Sequence, residues 1–238
     1  MCGILYYRSQ KLARGDERIA HAMSHINVRG PDGQDVLWGE GYALGHTRLA
    51  IIDPSAAANQ PFWDASRRYA IAYNGEIYNY ADLRRELINR GINLRTTSDT
   101  EVLIELLARD GWAATCRRVR GMFAFILVDN ETGKVLIARD HFGQKPLYWH
   151  YSGGAFAAAS DPMSVVELAG RCEPDLDSYS IYASTRSTAG TRGLFDPERS
   201  MFAGTQMLPA GHILELDGGK PRISRYFAPH ELYIGAVA

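Results

Sequence analysis

The stretch FAFILVDNETGKVLIARD (123–140) decides the fold class of this chain. It consists of two apolar runs that are joined by a turn of four residues. Two such runs on either side of a short polar turn that contains Gly133 are typical of a β-hairpin. The stretch therefore predicts two antiparallel strands.

A second hairpin is predicted at RYAIAYNGEIYNY (68–80), where apolar residues alternate on both sides of Asn74 and Gly75. Asn-Gly between alternating apolar residues is the strongest short hairpin signal. Further strands are predicted at GILYY (3–7) and within the β-rich YALGHTRLAIID (42–53). The segments PLYWHY and AFAAAS, which follow the first hairpin, are β-like as well.

Three helices are predicted between the strands. They are expected at 16–26 with Asp16 as the cap, at about 81–90, and at 98–111, where Ser98 and Glu101 match a capping box. Antiparallel strand pairs with a few long helices indicate an α+β fold rather than alternating βαβ units.

Composition excludes several function classes. The chain has 238 residues, 46% hydrophobic and 22% charged, and a formal net charge of -1. We therefore expect a folded chain that binds neither nucleic acid nor a membrane. No apolar stretch approaches the ~20 residues of a membrane span and no signal segment is present, so the expected location is the cytoplasm. The three cysteines suggest neither disulfides nor a metal site.

The composition changes after about residue 170. The segment 183–193 is small, polar and glycine-containing, which is typical of a loop or linker, and 202–219 is a short β-like unit. We therefore predict a core at 1–170 and a C-terminal extension at 171–238.

Cys2 follows the start methionine directly. If Met1 is removed, the thiol of Cys2 and the α-amino group of the chain lie on one Cα atom. The thiol has an unperturbed pKa of about 8.5 and the α-amino group one of about 7.7 to 8.0, so the amine can act as a base near neutral pH. The alternative is that Cys2 is only a small apolar residue at the start of a strand.

Many separate motifs occur in one order along the chain. They are MCGI (1–4), RGPDG (29–33), GHTRLAIID (45–53), NQPF (59–62), YNGEIYN (73–79), SDTEV (98–102), GMFAF (121–125) and ARDHFGQKPLYW (138–149). This series, over roughly residues 1 to 228, resembles the class II glutamine amidotransferase domain of glutamine-hydrolysing asparagine synthetases. The resemblance implies the N-terminal nucleophile hydrolase fold, a four-layer αββα sandwich of two antiparallel sheets.

The resemblance also implies the chemistry of Cys2. Its sulfur would attack the carboxamide of L-glutamine and form a thioester, which releases ammonia and then glutamate. The side-chain amide of Asn74 and the N–H of Gly75 would stabilise the oxyanion. On local sequence alone, Asn74 and Gly75 are explained equally well as a hairpin turn, and both roles are compatible.

The amino-acid head group of glutamine is implied to bind Arg48 and Asp99. Arg48 matches the residue that meets the α-carboxylate, Asp99 matches the one that meets the α-ammonium, and Glu76 lies beside the same pocket. The alternatives are an exposed strand arginine for Arg48 and a favourable acid in the first turn of a helix for Asp99.

The chain departs from the family in three respects. Val28 replaces a histidine that often precedes RGPD, and His141 replaces an arginine. No SGGxDS pyrophosphate loop follows, although 202–227 resembles the lead-in to a synthetase domain. We therefore expect a separate domain or subunit to bind ATP and Mg²⁺ and to use the ammonia. The glutaminase itself is expected to need no cofactor, and a homodimer is possible.

Two alternatives from other classes stay open. In one, the chain is a non-catalytic glutamine-binding or assembly module whose thiol is blocked by a retained Met1. In the other, it is an amidase that uses the same thiol on a different amide, and Arg48 and Asp99 decide against it because together they specify a free amino-acid head group.

Overall fold

The computed structural model describes residues 1–185, 198–218 and 220–229. The strands in these ranges are β1 (Gly3–Arg8), β2 (Gly33–Gly39), β3 (Tyr42–Arg48), β4 (Phe62–Trp63), β5 (Tyr69–Ile77), β6 (Gly121–Asp129), β7 (Val135–Arg139), β8 (Tyr148–Ser152), β9 (Ala155–Ala159), β10 (Gln206–Met207), β11 (His212–Leu216) and β12 (Arg222–Arg225). The predicted strands at 3–7 and in 42–53 are therefore present as β1 and β3.

The helices in the described ranges are α1 (Glu17–Asn27), α2 (Tyr80–Asn89), α3 (Asp99–Asp110), α4 (Trp112–Arg118), α5 (Pro162–Ala169) and α6 (Leu176–Thr185). The three predicted helices correspond to α1, α2 and α3. Among the helices that the structure describes, none has the length and apolar character that crossing a bilayer requires.

The strands form two sheets of six strands each. Sheet A has the order β10-β8-β9-β1-β3-β2, and sheet B has the order β12-β11-β7-β6-β5-β4. Neighbouring strands within each sheet are antiparallel. One buried core lies between the sheets, a second lies between sheet A and helices α1 and α5, and a third lies between sheet B and helices α2 and α3. The predicted α+β four-layer sandwich is confirmed.

Side-chain alternation explains why both faces of the sheets are buried. In β1, Ile4 and Tyr6 pack in the core between the sheets, whereas Leu5 and Tyr7 pack toward α1 and α5. Successive side chains of a strand point to opposite faces. The same alternation directs Cys2, which precedes β1, toward the space between the sheets.

The predicted hairpin at 68–80 is wrong. β5 runs straight through Asn74 and Gly75, and all nine of its residues pair with β6. A Cβ atom on Gly75 would lie 2.4 Å from the carbonyl oxygen of Met122 on β6. Glycine therefore occupies this position because two strands approach closely, and the nine-residue pairing with β6 overrides the local turn preference of Asn-Gly.

The predicted hairpin at 123–140 is confirmed. It consists of β6 and β7, which pair from Ala124 opposite Arg139 to Val128 opposite Val135. Gly133 lies in the turn with a φ of 69°, in the left-handed region that glycine adopts without strain. β6 is buried along most of its length because it lies inside sheet B, between β5 and β7.

The capping box at α3 is only half formed. Ser98 caps the helix by accepting a hydrogen bond from the N–H of Thr100. The carboxylate of Glu101, however, accepts from the N–H groups of Arg95 at 3.0 Å and Thr96 at 2.7 Å. Glu101 does not complete the capping box because the loop that precedes α3 folds back along the helix. The Glu101 carboxylate binds this loop and holds it in place.

The segment after residue 170 contributes strands to both sheets. β10 pairs with β8 in sheet A, and β11 lies between β7 and β12 in sheet B. The boundary at 170 between core and extension stays a prediction, although these pairings extend the core sheets beyond it. The predicted loop at 183–193 is wrong for residues 183–185, which form the last turn of α6, and from 186 onward it lies outside the described residues.

Candidate functional site

A cavity of about 180 Å³ opens at one end of the sandwich, where β1 begins and β3 ends. Gly3 pairs with Thr47, so Cys2 and Arg48 lie next to each other at this end. The six residues that the sequence singles out all line this cavity: Cys2, Arg48, Asn74, Gly75, Glu76 and Asp99. They come from β3, from β5, from the first turn of α3 and from the chain before β1.

The thiol of Cys2 is partly buried against the segment that follows β3. Its sulfur lies 3.4 Å from the N–H of Leu49, which donates to it, and 3.7 Å from the Leu49 carbonyl oxygen. Burial raises the pKa of the thiol, while the Leu49 hydrogen bond, the N-terminal ammonium and Arg48 lower it. The site thus supplies groups that stabilise a thiolate against the cost of its burial.

Asn74 faces the core between the sheets, on the same side of β5 as the core residues Ala70 and Ala72. Its side chain is 1% exposed, and neither the amide nitrogen nor the amide oxygen has a hydrogen-bond partner among the described residues. A buried polar group without a partner costs about 1–3 kcal/mol. This cost is explained if a ligand in the cavity supplies the missing partner.

The N–H of Gly75 is directed away from β6. Gly75 lies opposite Phe123, and the N–H and carbonyl of Phe123 bond to Asp140 on the other side of β6. The pair of Gly75 and Phe123 is therefore one of the pairs without mutual hydrogen bonds, in which the backbone groups point outward. The N–H of Gly75 consequently points to the open edge of β5.

The neighbouring N–H groups on that edge are bound by side chains. The N–H of Tyr73 donates to the side-chain oxygen of Gln60 at 2.7 Å, and the N–H of Ile77 donates to Asp99 at 3.1 Å. β4 covers the edge only as far as Ile71. The N–H of Gly75 lies between the two bound groups, at the cavity.

Arg48 is anchored by neutral acceptors. Its guanidinium donates to the carbonyl oxygens of Ser55, at 2.9 Å, and of Asp53, and to the side-chain oxygen of Asn59. The carboxylate of Asp53 is used elsewhere, by Ser55 and Thr97. In the described part of the chain, Arg48 therefore has no ion-pair partner, and its charge is available to a ligand.

Asp99 is a buried residue, only 4% exposed. Its Oδ2 atom accepts from the Tyr73 hydroxyl at 2.8 Å and from the N–H of Ile77. Burial raises the pKa of Asp99, and these two donors lower it. Arg48 and Asp99 thus offer opposite charges to one cavity without neutralising each other.

Sequence reasoning missed three residues of the site. Arg29 donates from Nε to the carbonyl oxygen of Cys2 at 3.1 Å. Gln60 bridges β5 and α3 by accepting from Tyr73 and donating to the hydroxyl of Thr100 at 3.2 Å. Lys145 is buried and lines the cavity. All three lie in motifs that the sequence displays, RGPDG, NQPF and GQKP, but only folding brings these motifs together.

The described histidines, among them His141, and the other departure Val28 do not line the cavity. His46 is fully buried, its Nε2 lies 3.2 Å from the Tyr73 carbonyl oxygen, and burial lowers its pKa to about 3. Val28 is exposed, and the ring of His141 packs edge-on against Tyr226. Within the described ranges, no group of three or more His, Cys, Asp or Glu residues could hold a metal ion.

Solved structures share this architecture. The glutamine phosphoribosylpyrophosphate amidotransferase of B. subtilis matches 95% of this chain with a TM-score of 0.70 and 19% identity, and the match covers 49% of that chain. A second structure, of the allosteric regulatory enzyme of purine biosynthesis, gives a TM-score of 0.71 at 19% identity and also covers 95% of this chain and 49% of its own. At this identity the likeness concerns the fold alone.

Sequence comparison identifies nearer relatives. Asparagine synthetase [glutamine-hydrolyzing] 3 of Bacillus subtilis is 31% identical over 233 residues, which cover 95% of this chain and 36% of the relative. A putative asparagine synthetase of Mycobacterium tuberculosis is 34% identical over 256 residues, which cover 96% and 37%. Asparagine synthetase B of Escherichia coli is 39% identical over 141 residues, which cover 59% and 25%.

The chain spans little more than a third of the length of the first two of these relatives. The family model described as glutamine amidotransferase domain matches residues 1–227, which is nearly the whole chain. The chain therefore belongs to the glutamine amidotransferase domain family, in the class II branch that the glutamine-hydrolysing asparagine synthetases carry.

Proposed function

We propose that this chain hydrolyses L-glutamine to glutamate and ammonia through a thioester on Cys2. The observation that carries the proposal is the unpartnered amide of Asn74, which lines one cavity with the N–H of Gly75 and the thiol of Cys2. Two fixed donors beside a nucleophile are what a tetrahedral oxyanion requires. The Asn74 amide and the Gly75 N–H are those donors in this proposal.

Arg48 and Asp99 account for the choice of a free amino acid. One is a cation and the other an anion, both line the same cavity, and the described residues bind both through neutral groups. A zwitterionic head group satisfies both at once. The carboxylate suits the paired donors of a guanidinium, and the ammonium suits the buried carboxylate of Asp99. Glu76 lines the same cavity, as do Met122 and Lys145.

The reaction starts once Met1 is removed. The free α-amine of Cys2 takes the thiol proton, and the sulfur forms a bond to the carboxamide carbon of glutamine. The electron pair of the C=O bond moves to the oxygen, which Asn74 and Gly75 hold. When the carbonyl re-forms, the C–N bond breaks, and the nitrogen takes the proton from the amine and leaves as ammonia. A thioester remains.

Water completes the cycle. The amine takes a proton from the water as its oxygen attacks the thioester carbon, and the same donors hold the second oxyanion. The C–S bond then breaks, glutamate leaves, and the proton returns to the sulfur. The thiol must stay reduced throughout, so we place the reaction in the cytoplasm, a reducing compartment.

The ammonia serves ATP-dependent amide formation in this proposal. The support is the length of the chain, which covers 36% to 37% of the first two relatives, each named a glutamine-hydrolysing asparagine synthetase. A synthetase domain or subunit would bind ATP and Mg²⁺. A homodimer stays a prediction from the sequence.

Ammonia release from L-glutamine by the purified chain tests the proposal, with intact mass spectrometry to establish whether Met1 is absent. We expect Cys2→Ala to lose nearly all activity. The matched control is Cys172→Ala, because Cys172 is an exposed cysteine outside the cavity. Equal ammonia release from the Cys2→Ala variant and the unchanged chain would contradict the thioester.

Two further measurements separate the alternatives. A retained Met1 together with glutamine binding but no hydrolysis would favour the non-catalytic module. If Arg48→Ala leaves the KM for glutamine unchanged while hydrolysis persists, the substrate is a different amide.

Labelling by a glutamine-like electrophile, diazo-oxo-norleucine, should be confined to Cys2.

A further inference from the structure

Lys145 is a buried cation without a counterion. The residue is only 5% exposed and lines the cavity together with Cys2. Lys134 forms an ion pair with Asp217, whereas Lys145 has none among the described residues. Lysines are rarely so buried unless they are paired. The position therefore favours a negative charge close to the ammonium.

The loop between β7 and β8 holds Lys145 in place. The fully buried carboxylate of Asp140 accepts the N–H groups of Phe142 at 3.1 Å, Gln144 at 3.0 Å and Lys145 at 2.9 Å. The guanidinium of Arg139 donates to the carbonyl oxygen of Lys145 at 2.8 Å. The backbone N–H and the carbonyl oxygen of Lys145 are thus both hydrogen-bonded, so the side chain extends to the cavity from a fixed backbone.

The first negative charge that the proposed reaction creates in this cavity lies on the sulfur of Cys2, before the oxyanion forms. We propose that the Lys145 ammonium is the counter-charge of the Cys2 thiolate and acts through Cys2 rather than on the substrate. This inference rests on the proposed function, because it assigns Lys145 to the same nucleophile. Burial lowers the pKa of Lys145, and Cys2 raises it, as expected for two groups that interact across the cavity.

Lys145 adds to the other charges near Cys2 and takes part in no step of the proposed reaction. Besides Lys145, the N-terminal ammonium, Arg48 and Asp99 act on the charge of Cys2, whereas Arg29, Asp140 and Glu76 act on Lys145. In the proposed mechanism the α-amine becomes positive only when it takes the thiol proton, and it gives that proton to the leaving ammonia, while Arg48 pairs with the substrate carboxylate. Lys145 lines the cavity as a positive charge that neither of these steps uses.

The pH dependence of Cys2 alkylation by iodoacetamide tests this role without requiring turnover. We expect Lys145→Met to shift the alkylation profile of Cys2 to higher pH by about one unit or more, which lowers the rate near pH 7 about tenfold. Lys145→Arg keeps the charge and should restore most of the rate. The control is Lys134→Met, which replaces an exposed lysine and should leave the alkylation profile of Cys2 unchanged. Alkylation of the exposed Cys172 provides an internal reference in every sample.

An unchanged Cys2 profile in Lys145→Met, or a profile that Lys145→Arg fails to restore, would overturn the inference. Near-ultraviolet circular dichroism verifies folding, and Lys145→Gln is a second neutral variant if Lys145→Met misfolds. Glutamine hydrolysis is measured separately. An unchanged profile with an active parent refutes the role of Lys145 alone, whereas a shifted profile in an inactive parent supports the charge pair and refutes the proposed activity.

Discussion

Asn74 buries two amide atoms without a hydrogen-bond partner, and Asp99 and Lys145 bury charged groups without an ion-pair partner, among the residues that the structure describes. Such groups lower stability, since an unpaired buried donor or acceptor costs about 1–3 kcal/mol. Proteins keep such costs mainly where function needs them. All three residues line one cavity, so the cost is confined to the place where a ligand can offset it.

Asn74→Ala should separate activity from stability. The change removes a proposed oxyanion donor, so we expect kcat to fall by ~10²–10³ with little change in KM. It also removes two unpartnered buried atoms, so the free energy of unfolding should stay within about 1 kcal/mol of the parent or increase. Steady-state kinetics and urea denaturation measure the two effects. A large loss of stability with unchanged kcat would assign Asn74 a structural role.

Asp99→Asn should raise the KM for glutamine by about 10- to 100-fold, because a hydrogen bond to a charged group contributes about 1.5–3 kcal/mol. Ammonia release over a range of glutamine concentrations measures this change. Asp82→Asn is the control, since Asp82 is exposed and lies outside the cavity.

The same substitution should change how stability depends on pH. Burial raises the pKa of Asp99 above its unfolded value of about 3.9, so the folded state binds this proton more tightly than the unfolded state. The free energy of unfolding therefore falls progressively as the pH rises from about 3.9 through the raised pKa, because the buried Asp99 carboxyl group must then lose its proton. In Asp99→Asn this loss should be absent, which urea denaturation at several pH values would reveal. If the stability of Asp99→Asn depends on pH in the same way as that of the parent, burial does not raise the pKa of Asp99.

At the scale of elements, β5 has two structural roles. It pairs with β6 along its whole length inside sheet B, and its open edge beyond β4 presents the N–H of Gly75 to the cavity. Glycine at this position lets the strands approach, since an added Cβ would meet the Met122 carbonyl oxygen. The open part of the β5 edge begins after Ile71, because β4 is only two residues long.

Gly75→Ala should therefore weaken both the sheet and the site. The added methyl group would lie 2.4 Å from the Met122 carbonyl oxygen and 2.8 Å from Phe123 Cα, both backbone atoms that cannot move aside alone. We expect a loss of about 1–3 kcal/mol in the free energy of unfolding. The matched control is Gly33→Ala on β2, where nothing lies within 4 Å of the added atom. Equal stability of both variants would contradict the close approach.

At the scale of the whole molecule, the segment after residue 170 completes sheets that begin near the N-terminus. Leu208, Ile213, Leu214 and Leu216 are buried against the core between the sheets or against the helices of sheet B. Each fully buried side chain of this kind contributes about 1.5–3 kcal/mol. Their sum is comparable with the ~5–15 kcal/mol that stabilises a typical domain.

A chain that ends at residue 170 is therefore expected not to fold stably. Removing β11 also leaves β7 as an apolar edge strand, which favours aggregation. Size-exclusion chromatography and thermal denaturation, compared with the full 238-residue chain, measure the outcome. A soluble, cooperatively folding fragment with unchanged Tm would support the predicted boundary at 170.

The sequence alone determined the α+β class, the hairpin of β6 and β7 and the three helices, because these depend on local apolar periodicity and on caps such as Ser98. It also placed Cys2, Arg48, Asn74, Gly75, Glu76 and Asp99 together through an ordered series of motifs. Periodicity and caps act over a few residues, so they can be read without knowledge of the fold.

Tertiary structure alone decided the conformation of Asn74 and Gly75 and the positions of Arg29, Gln60 and Lys145 at the site. Local preference favours a turn at Asn-Gly, but nine residues of pairing with β6 keep β5 extended. Lys145 lies more than 140 positions after Cys2 in the sequence, and only the folding of the β7–β8 loop around Asp140 brings both to one cavity. The physical reason is that burial and charge pairing depend on neighbours in space, which local patterns do not contain.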